Sequence, residues 1–346
     1  MDKDSNLCDY KYFLSRQTNC HTFDIVIKAI FAVFSLIGIL GNALVILGVA
    51  FHKKMRSTIN ILIFSLALAD ILFILILVPT TTTPFFGSTL GRISLGEFGC
   101  KIRLFVISVT TFVSVYTLTC MSVFRYLAVV YPIKSLLWRS RTKACISSLL
   151  IWLVCLCANI PLLLQAKNDV VINNVNQNDI IPNDFVQNEA VQRHSTNWSG
   201  ISETAGPACA AEGFENTSHV FYLCANVFGF YLPVAIMVFL YGKMLKHVRV
   251  GPLIMRHSIV PHEARNRKMN LMVVSAVAVF ICCWLPLQVI YTLLLVNAVH
   301  QSTVFRLVKA SSCVAFINSI VNPIIYAFIA KDFRSSFRKV LSGKCH

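Results

Sequence analysis

The chain has 346 residues, of which 56% are hydrophobic and only 13% are charged, and its net charge is +16. Soluble domains carry about 25% charged residues, so this composition excludes an ordinary soluble protein. The apolar residues come in long blocks, and a helix of roughly 20 such residues crosses the hydrocarbon layer of a bilayer. Because the blocks are too long and continuous for barrel strands, they predict an all-α membrane protein, a bundle of seven transmembrane helices.

The predicted spans define three parts of the chain. They cover residues 25–51, 58–79, 102–130, 144–164, 219–241, 269–296 and 304–329. A polar tail, 1–24, precedes this membrane domain of residues 25–329, and an inner tail, 330–346, follows it. The first tail lacks the basic and then apolar start of a cleavable signal peptide, so we expect the first span to act as the insertion signal.

Lysine and arginine are concentrated on the side of the membrane opposite to residue 1, where Glu263 and Asp332 are the only acidic residues. Basic loops stay in the cytoplasm. The N-terminus is therefore predicted to be extracellular, in a multi-pass protein of the plasma membrane. The positive charge reflects topology and contact with anionic lipid rather than a nucleic-acid partner.

The longest outer segment, about 165–218, has an Asn/Asp/Gln-rich centre, 168–192, that is predicted to be a mobile loop. It contains two N-glycosylation sequons, at Asn197 and Asn216, on the correct side of the membrane. Most of the 13 cysteines lie within the predicted spans, where cysteine serves as a small apolar residue. Cys8 and Cys20 lie on the oxidising side and could form a disulfide.

The inner tail begins with an amphipathic pattern. Phe333 and Phe337 are four residues apart among basic residues, which predicts a helix over 330–341 that lies along the inner membrane surface. Cys345 follows this helix and is a candidate for palmitoylation, with a free cytosolic thiol as the alternative.

Polar residues inside spans are costly and mark functional sites. Asp70 is the only acidic residue deep in a span, and several polar residues occur at comparable depth: Asn42, Ser114, Asn318, Ser319, Asn322 and Tyr326. They form either a structural hydrogen-bond network or a carboxylate cluster that binds a small cation or rearranges during switching. Pro286, near Trp284 and Phe280, predicts a hinge beneath a cavity, or a kink that merely aids packing.

Together these features resemble the rhodopsin-like G-protein-coupled receptors over residues 25–341. The resemblance rests on Gly41-Asn42, Leu66-Ala67-Leu68-Ala69-Asp70, Cys100, Arg125-Tyr126, Trp152, Phe230 to Pro233, Phe280-x-x-Cys283-Trp284-Leu285-Pro286 and Asn322-Pro323-Ile324-Ile325-Tyr326. It implies a receptor rather than an enzyme, with a heterotrimeric G protein as its partner, of the inhibitory type.

The resemblance also implies roles for the matching residues. Arg125, beside Tyr126, would engage the G protein when the sixth helix swings outward, and Tyr241 and Tyr326 would stabilise that open state. Trp284 would form the floor of the ligand cavity and Phe280 would relay its movement. The implied sodium pocket consists of Asp70, Ser114, Asn318 and Ser319, with sodium an allosteric ion rather than a required cofactor. The implied disulfide joins Cys100 to Cys209.

Missing residues narrow the ligand class. Ile107 stands where amine receptors have an aspartate, and Phe316 where opsins have the retinal lysine. Ser114-Val115-Tyr116-Thr117-Leu118, Trp284-Leu285-Pro286-Leu287-Gln288-Val289-Ile290 and Phe333-Arg334-x-x-Phe337-Arg338-Lys339 resemble the allatostatin-A and galanin receptors. This likeness implies a small neuropeptide ligand. Gln288 and Tyr291 follow Trp284 by four and seven residues and share its face of the helix. These two would line the cavity, with Ile107 as an apolar wall and Arg306 and Lys309 as a basic rim; ordinary interhelical packing is the alternative.

The main departure from the family is Phe124, which stands where relatives have Asp or Glu before Arg-Tyr. Phe124 accepts no hydrogen bond, so we expect a less restrained Arg125 and raised signalling without ligand. In the alternative, Phe124 packs against lipid and other contacts restrain Arg125. A non-signalling receptor-like protein is a rival interpretation, and a membrane transporter is a rival from another class.

Overall fold

The computed structural model describes residues 29–82, 96–138, 140–169, 208–211, 223–250, 261–295 and 301–342. Within these ranges, seven helices are long and apolar enough to cross a membrane. We number these spans in chain order: Ala29–Phe51, Thr58–Leu77, Lys101–Val130, Arg141–Ala158, Leu223–His247, Lys268–Leu294 and Ala310–Ile329. The predicted all-α membrane bundle is therefore confirmed.

Several helices continue beyond the apolar part that defines the span. The longer helices are Thr58–Thr82 (second), Gly96–Val130 (third), Pro261–Leu295 (sixth) and Gln301–Ile329 (seventh). Short helical segments occupy Lys53–Met55, Pro132–Trp138 and Ile160–Gln165. The sixth span begins at Lys268, one residue before its predicted start, and its helix begins two turns earlier, at Pro261, because those added turns are polar and carry no hydropathy signal.

The fourth and fifth spans are not uniform helices. The fourth, predicted as one helix over 144–164, ends at Ala158, and a short helix follows from Ile160. In the fifth, residues Val227–Tyr231 form a π-helical turn before the regular helix Leu232–Val250. Both interruptions lie beside a proline, which cannot donate the backbone hydrogen bond of a regular helix.

Two short strands mark the ends of the long outer segment. Ala166–Asp169 pairs antiparallel with Ala208–Ala211, with Asn168 opposite Cys209. The strands contact the third helix. The prediction of a mobile loop over 168–192 was wrong at Asn168 and Asp169, because strand pairing between distant residues leaves no local pattern.

Polar contacts hold the fourth span against its neighbours. The indole Nε1 of Trp152 donates to Ser65 Oγ of the second span at 3.0 Å. The Ser108 hydroxyl of the third span donates to Asn159 Oδ1 at 2.5 Å. Within the hydrocarbon layer these polar groups have no water to bond to, so they bond to each other across the helices.

The helix Lys331–Leu341, which we call the surface helix, follows the seventh span directly. Its Phe333 is 1% exposed and packs against Tyr326, with ring centroids 5.6 Å apart. Ser336 is also buried and contacts His52 Nδ1 at 3.1 Å, at the inner end of the first span. The predicted amphipathic helix is therefore present, and its apolar face is anchored to the first and seventh spans.

Candidate functional site

A column of aromatic rings occupies the middle of the bundle. The rings of Trp284 and Phe280 are stacked with centroids 6.1 Å apart, and Phe280 lies 6.1 Å from Phe230 of the fifth span. Phe73 of the second span meets Trp284 edge-on at 6.0 Å. All four side chains are buried. The predicted neighbours Trp284 and Phe280 are thus in direct contact and join three spans.

Prolines lie inside two of the long helices. Pro286 lies inside the sixth helix and Pro323 inside the seventh. Each removes a backbone donor, so the helix can bend there at low cost. Pro323 also packs closely on the first span, where a Cβ added to Gly41 would lie 3.0 Å from its ring.

Above the column, the third, fifth and sixth spans carry the residues predicted to line the outer ligand cavity. Ile107 of the third span is half-buried against the central core, and Gln288 is half-buried on the sixth. Tyr231 links the fifth and sixth spans, since its hydroxyl lies 2.8 Å from Thr292 Oγ1 and donates to the Gln288 carbonyl at 3.4 Å. Sequence reasoning missed Tyr231 and Thr292.

Tyr291 lies one turn above Gln288 and is 38% exposed. Its hydroxyl interacts electrostatically with the guanidinium of Arg103, on the outer part of the third helix. Sequence reasoning also missed Arg103, because an arginine at the membrane edge is ordinarily expected to extend to the headgroups. The backbone of Arg306 and Lys309 lies on the seventh helix, and their side chains are outside the described residues.

Asp70 is the centre of a buried polar cluster. Its side chain is 1% exposed and accepts a hydrogen bond from Asn322 Nδ2 at 2.9 Å. Ser319 of the same seventh helix also bonds to it. Asn318 is buried, and its Oδ1 has no hydrogen-bond partner among the described residues. The second and seventh spans are thus joined by a carboxylate, as the sequence suggested.

Two residues of the suggested cluster bond elsewhere. Asn42 Nδ2 donates to the backbone carbonyls of Gly38 at 2.9 Å and Ser319 at 2.8 Å, so it ties the first span to the seventh. The Ser114 hydroxyl donates to the Thr110 carbonyl of its own helix at 2.9 Å. The positions of Asn42 and Ser114 along their spans predicted their depth in the membrane but not the direction of their side chains.

At the inner end of the third span, Arg125 is 1% exposed. Tyr241 of the fifth span interacts with it electrostatically, and the Ser122 hydroxyl donates to the Tyr241 hydroxyl at 3.1 Å. Phe124 is 8% exposed and belongs to the central core. The suggestion that Phe124 packs against lipid was therefore wrong, because its ring faces the interior of the bundle.

Tyr126 and Tyr326, the other two tyrosines assigned to the switch, have distinct surroundings. Tyr126 meets Tyr131 edge-on at 6.1 Å. Tyr326 is 1% exposed and packs on Phe333, while its hydroxyl has no hydrogen-bond partner within the described part of the chain. Tyr326 is therefore directed toward the surface helix in this conformation.

The contact between the third and fifth spans is unusually close. The Tyr116 hydroxyl donates to the Phe228 carbonyl at 2.8 Å, within the π-helical turn. A Cβ added to Gly229 would collide with the ring of Phe112. Sequence reasoning missed this contact, although a glycine inside a span, such as Gly229, is a signal that a neighbouring helix packs closely there.

Several predicted sites are not described by the structure. Cys100 lies in the third helix and Cys209 in the second strand, and their side chains, like Asn197, Asn216 and Cys345, are outside the described residues. The disulfide, glycosylation and palmitoylation remain predictions. Over the ranges that are described, no group of three or more His, Cys, Asp or Glu residues could hold a metal ion.

Comparison with known proteins agrees with this arrangement. The sequence model described as "7 transmembrane receptor (rhodopsin family)" matches residues 41–326. The chain is 34% identical to the allatostatin-A receptor of Bombyx mori over 319 residues, which are 91% of this chain and 79% of that protein. It is also 30% identical to the galanin-like G-protein coupled receptor npr-9 of Caenorhabditis elegans over 341 residues, 92% and 73% of the two chains.

Proposed function

This chain belongs to the rhodopsin family of seven-transmembrane receptors, and we propose that it transmits the binding of a small extracellular neuropeptide to a heterotrimeric G protein. Family membership replaces the transporter interpretation that the sequence alone left open. The relatives are named as receptors for allatostatin-A and as galanin-like, which supports a peptide of one of these two types.

The observation that carries this proposal is the buried aromatic column below the outer cavity. A peptide that moves Trp284 must also move Phe280, because their rings are stacked. Phe280 in turn contacts Phe230, and Pro286 allows the sixth helix to bend. Packed cores shift between discrete arrangements, so a small displacement at the cavity can open the inner end of the bundle near Arg125.

The outer cavity favours a peptide over a small amine. Its wall at Ile107 is apolar, whereas an ammonium ligand needs a carboxylate there. Gln288, Tyr231 and Thr292 offer neutral donors and acceptors, which match the amide groups of a peptide backbone. The neutral hydrogen-bonding groups of these three residues fit an extended end of a peptide.

We assign the coupling to a G protein of the inhibitory type. Cells that express the wild type should show a fall in cAMP when an amidated neuropeptide of the allatostatin-A or galanin type is added. Arg125→Ala, at equal surface expression, should remove the fall. A rise in cAMP, or a calcium signal alone, would contradict the inhibitory assignment and leave the receptor class intact.

The proposed topology places residue 1 outside the cell at the plasma membrane. The basic inner segments support this orientation. An antibody against an N-terminal epitope should label intact cells, whereas one against a C-terminal epitope should need permeabilised cells. The reverse labelling would overturn the orientation.

The cluster around Asp70 is proposed to bind sodium. Alkali cations are held by oxygen ligands. Asp70 and Ser319 supply oxygens at one buried place, and the Oδ1 of the neighbouring Asn318 is buried without a hydrogen-bond partner among the described residues. Ser114 would join only after its hydroxyl turns from Thr110. When sodium replaces potassium at constant ionic strength, agonist affinity should fall in the wild type and stay constant in Asp70→Asn. Equal sodium effects in both proteins would exclude this site.

A constitutively active receptor is the second candidate, and Phe124 is the residue that favours it. Such a protein would signal through the same inner face without needing a ligand. Measuring signalling with and without peptide in the same cells separates the two, since only the first candidate responds to addition of peptide.

A further inference from the structure

The outer part of the third helix contains a half-buried cation, Arg103, that the proposed function has not used. Arg103 precedes Ile107 by four residues, so the two side chains share one face of the helix and Arg103 lies one turn nearer the outside. The guanidinium of Arg103 interacts electrostatically with the hydroxyl of Tyr291 on the sixth span. Arg103 and Tyr291 therefore bring a cation and a hydroxyl together at the outer end of the cavity.

The surroundings of Arg103 leave a donor available. Its Nε is buried and has no hydrogen-bond partner among the described residues. A buried N–H without a partner is unfavourable, and more so in a charged group. The guanidinium has five donors and no acceptor, so whatever satisfies it must present oxygen.

No carboxylate among the described side chains supplies that oxygen. The acidic side chains described there are Asp70, which bonds to Asn322 deep in the bundle, and Asp332, on the surface helix at the inner end. The Tyr291 hydroxyl can donate a hydrogen bond or accept one. A group with an oxygen toward Arg103 and a second polar atom toward Tyr291 would satisfy both.

We propose that Arg103 and Tyr291 bind the C-terminal carboxamide or carboxylate of the peptide ligand, an inference that rests on the proposed peptide-receptor function. A carboxylate presents two oxygens to the planar fork of the guanidinium, whereas a carboxamide presents one oxygen to Arg103 and leaves its NH2 to donate to the Tyr291 hydroxyl. The terminus would lie above Gln288, and the preceding residues would extend toward Trp284.

The test pairs each receptor variant with two forms of one peptide. An allatostatin-A-type peptide is prepared as the C-terminal amide and as the free acid, and the potency of each is measured on wild type, Arg103→Gln and Arg103→Lys at matched surface expression. Lys101→Gln is the control, since it removes one charge from the same end of the helix about 200° around its circumference.

Arg103→Gln should lower the potency of the preferred form by roughly 10- to 100-fold. It should also reduce the wild-type preference between amide and acid by about fivefold or more, because the contact that distinguishes them is gone. Arg103→Lys should retain part of the potency, and Lys101→Gln should change it less than twofold or so.

Three other outcomes overturn the inference. An unchanged amide-to-acid preference in Arg103→Gln would show that Arg103 does not contact the terminus. Equal losses in Arg103→Gln and Lys101→Gln would show a general electrostatic effect. In the third outcome, the wild type responds to no peptide in either form, and then the peptide-receptor proposal fails and this inference fails with it. The first two outcomes, in a wild type that does respond, remove only this inference.

Discussion

Phe124 and Arg125 are where the physical chemistry of single residues most affects signalling. Both side chains are buried at the inner end of the third span, and Tyr241 faces Arg125. A neighbouring acid would hold Arg125 by a charge-assisted hydrogen bond, and phenylalanine cannot. The resting state should therefore lose about 1–3 kcal/mol relative to one with a paired charge.

Phe124→Asp should lower signalling in the absence of ligand. A shift of about 1.4 kcal/mol changes the ratio of active to inactive receptor tenfold, so the basal signal should fall several-fold. The measurement is ligand-free G-protein activation at equal surface expression. Phe124→Leu is the matched control, because it remains apolar and accepts no hydrogen bond, and its basal signal should stay raised. Basal signals equal to that of empty vector in wild type and both variants would refute this prediction.

Alanine substitutions at Gln288 and Tyr291 test the outer cavity. Each removes a polar group next to the proposed peptide position, so the potency of an activating peptide should drop roughly tenfold or more in each variant. Surface labelling serves to exclude a folding defect. Unchanged potency in both variants would place the peptide site elsewhere in the bundle.

Residue types and spacing in the sequence predicted the buried Trp284, Phe280 and Asp70, since each is costly or distinctive within a span. They did not predict the directions in which the side chains point. Asn42 bonds a backbone carbonyl of the seventh helix rather than Asp70, and Arg103 turns inward although its position suggests the headgroups. Side-chain direction depends on helix rotation and neighbours, which sequence spacing does not contain.

At the scale of the helices, Gly229 sets how closely the third and fifth spans approach. A Cβ at this position would force the ring of Phe112 to move. Gly229→Ala should therefore destabilise the protein by about 1–3 kcal/mol and lower the Tm of the detergent-solubilised receptor.

Gly242→Ala is the matched control for this substitution. It lies further along the fifth span, and an added Cβ there meets nothing within 4 Å. Since alanine favours helix more than glycine does, by about 1 kcal/mol, the Tm of this variant should be unchanged or slightly raised. Equal losses of stability in the two variants would show that the close contact with Phe112 is unimportant.

The predicted disulfide between Cys100 and Cys209 would fix the outer strands to the third helix. Cys209 lies in the strand Ala208–Ala211, which contacts that helix. Cross-linking a long loop stabilises by about 2–4 kcal/mol. Peptide mapping of non-reduced protein should find the two cysteines linked, and free thiols at both positions would exclude the bond.

The sequence predicted the spans but not their irregularities, and the reason is physical. A run of apolar residues is a local property, so all seven helices could be located from it. The polar extension of the sixth helix to Pro261, the π-helical turn at Val227–Tyr231 and the paired strands depend on contacts outside the hydrocarbon layer or between distant residues.

At the scale of the whole molecule, the bundle connects an outer cavity with an inner surface. The connection consists of the aromatic column and the cluster around Asp70, which are buried between spans, together with the two prolines in the sixth and seventh helices. Tyr326 packs on Phe333, so the seventh span and the surface helix are joined in the described conformation. Outward movement of the sixth helix would require these contacts to rearrange together.

The most direct test of the central claim is peptide-stimulated nucleotide exchange on a purified G protein. The wild-type receptor is reconstituted in lipid nanodiscs with an inhibitory heterotrimer, and GTP binding is measured with and without an amidated neuropeptide of the allatostatin-A or galanin type. We predict saturable, peptide-dependent acceleration that Trp284→Ala reduces. Exchange that no peptide alters, from a receptor shown to be folded and correctly oriented, would contradict the claim that this chain is a neuropeptide receptor.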